Sequence, residues 1–310
     1  MTDLIEPIRA LEHELHRRIV PTSIERLSER LESLSIGLSQ RIPFAVFDTR
    51  MFRIRRMDHK PVLIDEVGAP PSKVSPIGRL NDEGQSVLYV ADSPDTAFAE
   101  CRATAGEFCL SEWRVNVQKL AMANGGIPPT MLIERFPNDI DEGKSRLPLS
   151  NADEEQILKL FREIYTLDVG EDRSLYRWSI ACGLVNGFSH QCDREALEIA
   201  DGMTHWNGRY PFAAIAYPSI RTDRTSLNYA FNDFGQSHIR LDHVQWVRRA
   251  EDSSSASLDY ANSWDSENRI SWQNRPAMFQ LEPAERSKVT KIAKTTWRYE
   301  TADGSTPWFG

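Results

Sequence analysis

Two arginines, Arg53 in MFRIRR and Arg79 in GRLN, precede Tyr89 in VLYVAD and Glu100 in SPDTAFAECRA; Ser219 in AYPSIR and Asn228 in LNYAFND follow far downstream. A guanidinium presents a planar fork of donors that suits phosphate oxygens, and two of them can hold a pyrophosphate. A tyrosine at a strand end can stack on a heterocycle while its hydroxyl orients a substrate oxygen. A carboxylate held close to a centre where positive charge develops can stabilise it. Ser219 reads as an orienting group rather than a nucleophile, because no histidine and carboxylate relay accompanies it. Each residue also has an ordinary reading. Arg53 and Arg79 can pair with local carboxylates, Tyr89 can be a core aromatic, Glu100 an exposed helix residue and Ser219 a turn hydroxyl. Arg55 competes with Arg53 for its position, and Asn81 and Asn228 suit either loop-fixing turns or contacts to the bound molecule.

The elements that must position these groups can be traced along the chain. Leu4, Ile8, Leu11, Leu15 and Ile19 form one helical stripe, Pro21 interrupts it, and Ile24, Leu27, Leu31, Leu34 and Leu38 form a second. Thr22 followed by Glu25 resembles a capping box for that second helix. A helical hairpin over residues 1–42 is expected, covering the next domain, dimerising or meeting a partner. From Pro43 the pattern turns to strands and loops, with strands expected in FAVFDTRMFRIRR, QSVLYVAD, SEWRVNVQKLAMA and PFAAIAYPSIR. Ser93 and Pro94 suit the N-cap and first position of a helix that carries Glu100 in its second turn. DEEQILKLFREIYTLD and RSLYRWSIACGLVNGFSH read as helices, and DREALEIADGMTHW as a further candidate. EDSSSASLDYANSWDSEN reads as a polar connector, RISWQNRPAMFQLE as a source of edge strands, and the tail as a strand with late aromatics. The expected architecture is α+β: a mixed-sheet core over residues 43–248 with flanking helices, preceded by the hairpin and followed by an extension over 249–310 packed on the core.

Composition excludes several classes. With 310 residues, 37 Lys+Arg against 45 Asp+Glu and a formal net charge of -8, no broadly basic surface recruits nucleic acid. Basic residues interleaved with Trp297 and Tyr299 are a minor exception, and the expectation is of no direct nucleic-acid or membrane binding. No apolar run reaches the roughly 20 residues a membrane span needs, and no leader pattern opens the chain, so a cytoplasmic location is expected. The cysteines, Cys101, Cys109, Cys182 and Cys192, form no CxxC pair; Cys182, His190, Cys192 and His205 match no common zinc spacing, and no metal is expected. His190, His205 and His238 read as structural or surface residues, and no Walker or dinucleotide-binding glycine fingerprint is present.

The ordered series Gly78-Arg79-Leu80-Asn81, Gly84, Leu88-Tyr89-Val90-Ala91, Ser93, Thr96-Ala97 and Glu100, joined by Tyr217-Pro218-Ser219 and Asn228, resembles the RES domain family over about two thirds of the chain. That family takes its name from its Arg, Glu and Ser residues and occurs in toxins of bacterial toxin-antitoxin pairs. The resemblance implies an ADP-ribosyltransferase-like fold and a substrate, NAD, that is consumed rather than used as a hydride-carrying cofactor. It implies catalytic roles for Arg53, Arg79, Tyr89, Glu100 and Ser219, with Arg53, Arg79, Tyr89, Ser219, Asn81 and Asn228 as the NAD contacts. Water or phosphate as acceptor is the leading expectation. Protein ADP-ribosylation, with a protein acceptor, is the runner-up, and a noncatalytic partner-binding RES fold is a third. A helix-turn-helix antitoxin and a homo-oligomer are the partners implied. The hairpin and the C-terminal region depart from compact family members and put a simple toxin assignment in doubt.

Overall fold

A computed structural model describes residues 5–34, 39–43, 50–115, 130–134, 151–185, 214–222, 226–237, 239–275, 288–291, 297–300 and 308–309. Helices α1 (Ile5–His16) and α2 (Ile24–Glu32) form the hairpin, followed by strands β1 (Ser39–Pro43), β2 (Met51–Arg56) and β3 (Leu88–Ala91). Then come α3 (Pro94–Glu100), β4 (Gly106–Val115), β5 (Thr130–Glu134), α4 (Asn151–Tyr165), α5 (Tyr176–Val185), β6 (Ala214–Pro218) and β7 (Leu227–Phe231). Strands β8 (Ile239–Arg249) and β9 (Ser255–Ala261) complete a nine-stranded sheet in the order β1-β5-β6-β7-β3-β2-β4-β8-β9. Neighbours are antiparallel except for the parallel β5–β6 pair, so the sheet is mixed. Three short strands, β10 (Lys288–Lys291), β11 (Trp297–Glu300) and β12 (Trp308–Phe309), pair in a separate sheet. The chain is thus an α+β protein with a largely antiparallel sheet and flanking helices.

The apolar stripes of the hairpin do what their spacing predicts. Ile8, Leu11, Leu15, Leu27, Leu31 and Leu34 are buried against Ile157, Leu160 and Ile164 of α4 and Trp178 and Ala181 of α5. The same cluster contains Leu80, Tyr217 and Ala230, so the hairpin shares a core with strands that carry candidate site residues. Among the described stripe residues Ile19 falls outward, at 46% exposure, because α1 has ended at His16; Leu4 and Leu38 lie outside the described residues. The cap of α2 is Ser23 rather than Thr22: its hydroxyl accepts from the Arg26 amide at 3.2 Å and donates to Glu25 at 2.8 Å. The hydroxyl-to-amide half of the cap is present one residue later than expected, but the third helical position is Arg26, so the reciprocal glutamate bond of a capping box is not made.

Two expectations shift. Strand β1 begins at Ser39, inside the stretch read as hairpin, and pairs with β5. The polar connector contains β9, which pairs with β8 along the sheet edge. Its serines hid it: as an edge strand it needs few apolar residues, and its most buried polar group, Asp259, is compensated by an ion pair instead. RISWQNR forms no strand among its described residues, only isolated bridges from Arg269 to Leu63 and from Ile270 to Trp264. The candidate helix in DREALEIADGMTHW lies outside the described residues. Among the described residues no helix is long and apolar enough to cross a membrane.

Asp259 is almost wholly buried and its carboxylate accepts from the Lys60 ammonium and from the amides of Tyr260 at 2.8 Å and Arg275 at 3.1 Å. Burial pushes its carboxyl up, but the Lys60 hydrogen bond and the two amides outweigh burial and hold it below its ordinary value. Because the folded pKa lies below the unfolded one, this stabilisation is present above the unfolded value and is lost as pH falls through the folded one. Asp259→Ala is expected to cost about 3 kcal/mol, since it leaves the Lys60 charge and two amides unpaired. Denaturant unfolding at pH 7 and at pH 3 checks this: the gap between wild type and variant should narrow at the lower pH.

Candidate active site

Strands β2 and β3 pair only at Phe52 and Ala91, and there the sheet opens. Arg53 lies at this opening and donates from Nη1 to the Tyr89 carbonyl at 3.0 Å. Its Nε is buried without a partner, and among the described residues no carboxylate pairs with it. Desolvation, together with the neighbouring Arg55 charge, lowers its pKa to about 10, partly offset by Cys101 and Tyr89. Arg55 turns to the loop beside β2, where its fork donates to the Glu66 and Gly68 carbonyls at 2.8 and 3.0 Å. The two neighbouring arginines thus differ in their surroundings: Arg53 keeps a buried Nε without a partner, and Arg55 places both terminal nitrogens on loop carbonyls.

Helix α3 delivers Glu100. Ser93 caps it, accepting from the Thr96 amide at 3.1 Å, and Pro94 occupies the first turn. Asp92, just before the cap, accepts from the Thr96 hydroxyl at 2.9 Å and from the Leu227 amide of β7 at 2.8 Å. At the other end Glu100 Oε1 accepts from Ser219 Oγ at 2.5 Å and from Asn228 Nδ2 at 2.7 Å. Ser219 is fully buried and also accepts from the Arg221 amide at 3.2 Å. Its proton is committed to Glu100, so its hydroxyl orients the carboxylate. Asn228 belongs to the same arrangement, which sequence spacing did not reveal because the pairing spans 128 residues.

Tyr89 and Asn81 build the wall formed by the GRLN turn. Tyr89 Oη donates to Asn81 Oδ1 at 2.7 Å and accepts from the Leu80 amide at 2.8 Å. Asn81 Nδ2 donates to the Pro76 and Asp82 carbonyls, at 2.8 and 2.9 Å. Burial pushes the Tyr89 hydroxyl well above its ordinary pKa, against the smaller opposing effects of the Leu80 amide and Arg79. The hydroxyl thus fixes the turn, and the Tyr89 residue stays partly buried.

Arg79 is engaged more heavily than its sequence position suggests. Its fork donates to the Tyr165 carbonyl at 2.5 Å and the Leu167 carbonyl at 3.1 Å, at the end of α4, a favourable place for a cation. Tyr176 and Tyr217 flank it, with ring centroids 5.2 and 5.7 Å from its guanidinium carbon. Tyr217 lies within electrostatic reach of Tyr89, Arg79, Glu100 and Tyr176, and burial pushes its hydroxyl well up. Sequence reasoning used Tyr217 only as part of a motif; its place in a buried strand next to Ser219 was the available signal.

A second polar cluster lies across β4 and β8, where Glu112, Asp242 and His243 each bring a ligand atom within 4.8 Å of one another. Arg50 grips Glu112 bidentately at 2.9 and 2.6 Å, Arg114 donates to Glu112 at 3.1 Å, and Arg240 pairs with Asp242 at 3.3 Å. Guanidiniums already neutralise both carboxylates, so this donor set suits an ion-pair network rather than a cation. Of the residues considered for zinc, Cys182 is buried in α5, and His190, Cys192 and His205 lie outside the described residues, as does His238.

Residues 50–134 match the model of the RES domain, a span that holds β2, the GRLN turn, Tyr89 and the whole of α3. This segment belongs to the RES domain family. Among solved structures, the Mycobacterium tuberculosis MbcT-MbcA toxin-antitoxin complex is similar to this chain at 11% identity and a TM-score of 0.35, covering 73% of this chain and 94% of that one. No curated protein matches the chain.

Within this RES domain Gly78 is the tightest point. A Cβ there would stand 2.4 Å from Asn81 Oδ1 and 3.1 Å from Tyr89 Oη, the two atoms that bond each other. Gly78→Ala is expected to break that bond and cost about 1–3 kcal/mol. Thermal unfolding checks the cost, and growth of the red-shifted tyrosinate absorbance at lower pH than in wild type would report that the Tyr89 hydroxyl has been released.

Proposed function

We propose that the opening between β2 and β3 binds NAD and cleaves the bond between nicotinamide and ribose, in a domain with the ADP-ribosyltransferase-like arrangement that the sequence resemblance implies. The observation that carries this reading is the Glu100 carboxylate, one oxygen of which is fixed by Ser219 and Asn228. Its other oxygen is left to bond the nicotinamide ribose, with charge aimed at the developing oxocarbenium ion. The glycosidic C–N bond breaks with its electron pair passing to the nicotinamide ring, whose positive charge it neutralises. A water or phosphate oxygen bonds C1′, and water loses a proton in doing so.

Residue roles follow from what each group has left to give. Arg53, with an unused buried Nε, supplies a donor to the phosphate and ribose portion. Tyr89 offers its ring to nicotinamide, and Asn81 holds Tyr89. Ser219 and Asn228 act through Glu100, and Arg79 positions the end of α4 against Tyr217. NAD is a consumed substrate in this scheme, and the chain acts as a toxin restrained by an antitoxin carrying a helix-turn-helix domain. The domain division proposed is a hairpin over 1–42, a core over 43–248 and an extension over 249–310, with β1 and β9 bringing parts of the two flanking segments into the core sheet.

Purified protein incubated with NAD should release nicotinamide, followed by chromatography and mass spectrometry with and without phosphate and with cell extract. ADP-ribose, its phosphorylated form and modified protein separate the three acceptors. Glu100→Gln is expected to lower turnover by about 100- to 1000-fold, the scale seen when a charge-stabilising group is lost. No nicotinamide release under any acceptor would sink the reading.

Arg53→Met separates function from stability. The substitution removes a desolvated charge that has no counter-ion, so the variant is expected to melt no lower than wild type. Nicotinamide release should nevertheless fall by about 100-fold or more, the scale expected when a charge-binding group is removed. A variant that keeps its activity would show that Arg53 does not meet the substrate.

A further inference from the structure

Three guanidiniums meet at Asp168, in the connection between α4 and α5. Arg221 Nη2 lies 3.3 Å from Asp168 Oδ1 and Arg102 Nη2 lies 3.9 Å from the same oxygen. Arg18 donates to the Asp168 carbonyl at 3.1 Å and the Val169 carbonyl at 2.9 Å. Two positive charges thus face one carboxylate, with Arg18 holding its backbone, and the surplus is local in a chain whose formal net charge is -8. The arginines are also placed by the site itself. Arg102 follows Glu100 by two residues, and Arg221 follows Ser219 by two, with its amide bonded to Ser219 Oγ. Helix α3 packs on the turn that contains Arg221, which keeps the two guanidiniums together. Leu167, next to Asp168, accepts from Arg79.

Arg79 has its fork occupied by two carbonyls, which leaves the phosphates of a dinucleotide short of donors. We propose that Arg102 and Arg221 form a subsite for the diphosphate group of a nucleotide, and that Asp168 is the internal anion that competes for it. This inference rests on the NAD reading for its ligand. Its physical basis is separate: two guanidiniums with free N–H groups, 64% and 27% exposed, share one half-exposed carboxylate at 3.3–3.9 Å, distances longer than a committed ion pair. Asp168 accepts more closely from the Gly170 amide, at 3.2 Å. That amide, the largest effect, holds its carboxyl below the ordinary value against the opposing effect of burial, with smaller help from the Arg221 and Arg102 charges, so Asp168 stays ionised and competitive near neutral pH.

Calorimetric titration of the full chain with inorganic pyrophosphate, ADP and nicotinamide riboside tests the subsite. Arg102→Gln combined with Arg221→Gln should weaken pyrophosphate and ADP at least 10-fold and leave nicotinamide riboside unchanged. Asp168→Asn should tighten both phosphorylated probes several-fold. The opposite signs matter, because damage to the fold would weaken binding in both variants. Absence of pyrophosphate and ADP binding by wild type, unchanged affinity in the double variant, or weaker binding after Asp168→Asn would each overturn the proposal. Opposite shifts without any nicotinamide release from NAD would support the subsite and remove the NAD reading. NAD cleavage with an unchanged KM in the double variant would do the reverse.

Discussion

The Glu100 carboxylate is held between Ser219 and Asn228, and much of the molecule is arranged so that this can happen. Helix α3 has seven residues, about 10 Å of rise, and both of its ends are tied to the start of β7. Leu227 donates its amide to Asp92 before the helix and Asn228 donates its side chain to Glu100 at the end. A short helix gains little stability from its own hydrogen bonds, so two tethers to one strand are what fix its register. Strand β7 lies in turn between β3 and β6, the strands that carry Tyr89 and lead into Ser219. The carboxylate therefore sits at a point where helix and sheet define each other, and one oxygen is immobilised before any ligand arrives. That is the preorganisation electrostatic catalysis requires.

The arginines divide by what surrounds them rather than by what they are. Arg55 and Arg79 spend their forks on backbone carbonyls and fasten a loop and a helix end. Arg53 makes one carbonyl bond and keeps a buried nitrogen unused. A cation in that state costs stability, and a protein near its stability threshold retains such a cost only where another requirement opposes it. The contrast with Arg50 is instructive. There the partner Glu112 is fully buried and takes both arms of the guanidinium, so charge is cancelled in place and nothing remains for a ligand.

Periodicity made the described helices legible, and motif order named residues that the fold brings together, among them Glu100, Ser219 and Asn228, but the pairing across the chain was not legible. Leu27, Leu31 and Leu34 announced α2 because one face of a helix must be apolar, while the choice of Ser23 over Thr22 as its cap depended on where the chain leaves Pro21. Ser93 and Pro94 announced α3 correctly because cap and first-turn chemistry are local. Strand β9 was missed because an edge strand tolerates serine and because Asp259, its buried acid, is satisfied by Lys60 from 199 residues away. Tyr89 and Glu100 could be named from sequence, whereas the commitment of the Tyr89 hydroxyl to Asn81 and Leu80 emerged only from the folded turn. Residue type indicates what a side chain can do, and only its neighbours show how much of that capacity is already used.

The same distinction reconciles an acidic chain with an anionic ligand. Net charge governs the field at a distance, where salt screens it within about 10 Å, and a ligand in the cleft feels chiefly the charges nearest to it. Near the GRLN turn and α3 those charges are Arg53, Arg79, Arg102 and Arg221, set against Glu100 and Asp168. In the proposed reading Glu100 stands close to the ribose, where positive charge develops, and a carboxylate there would repel a diphosphate placed beside it. Separating the two requirements in space is the solution the fold offers: the carboxylate points from the end of α3, and Arg102, two residues beyond in a left-handed turn with φ 47°, carries positive charge away from it. A left-handed residue turns the chain at once, which a continued helix could not do; Arg102 reaches Asp168 from this turn while Glu100 bonds Ser219 and Asn228. Sheet and helix set the position of the acid; that single turn sets how far the positive charge stands from it.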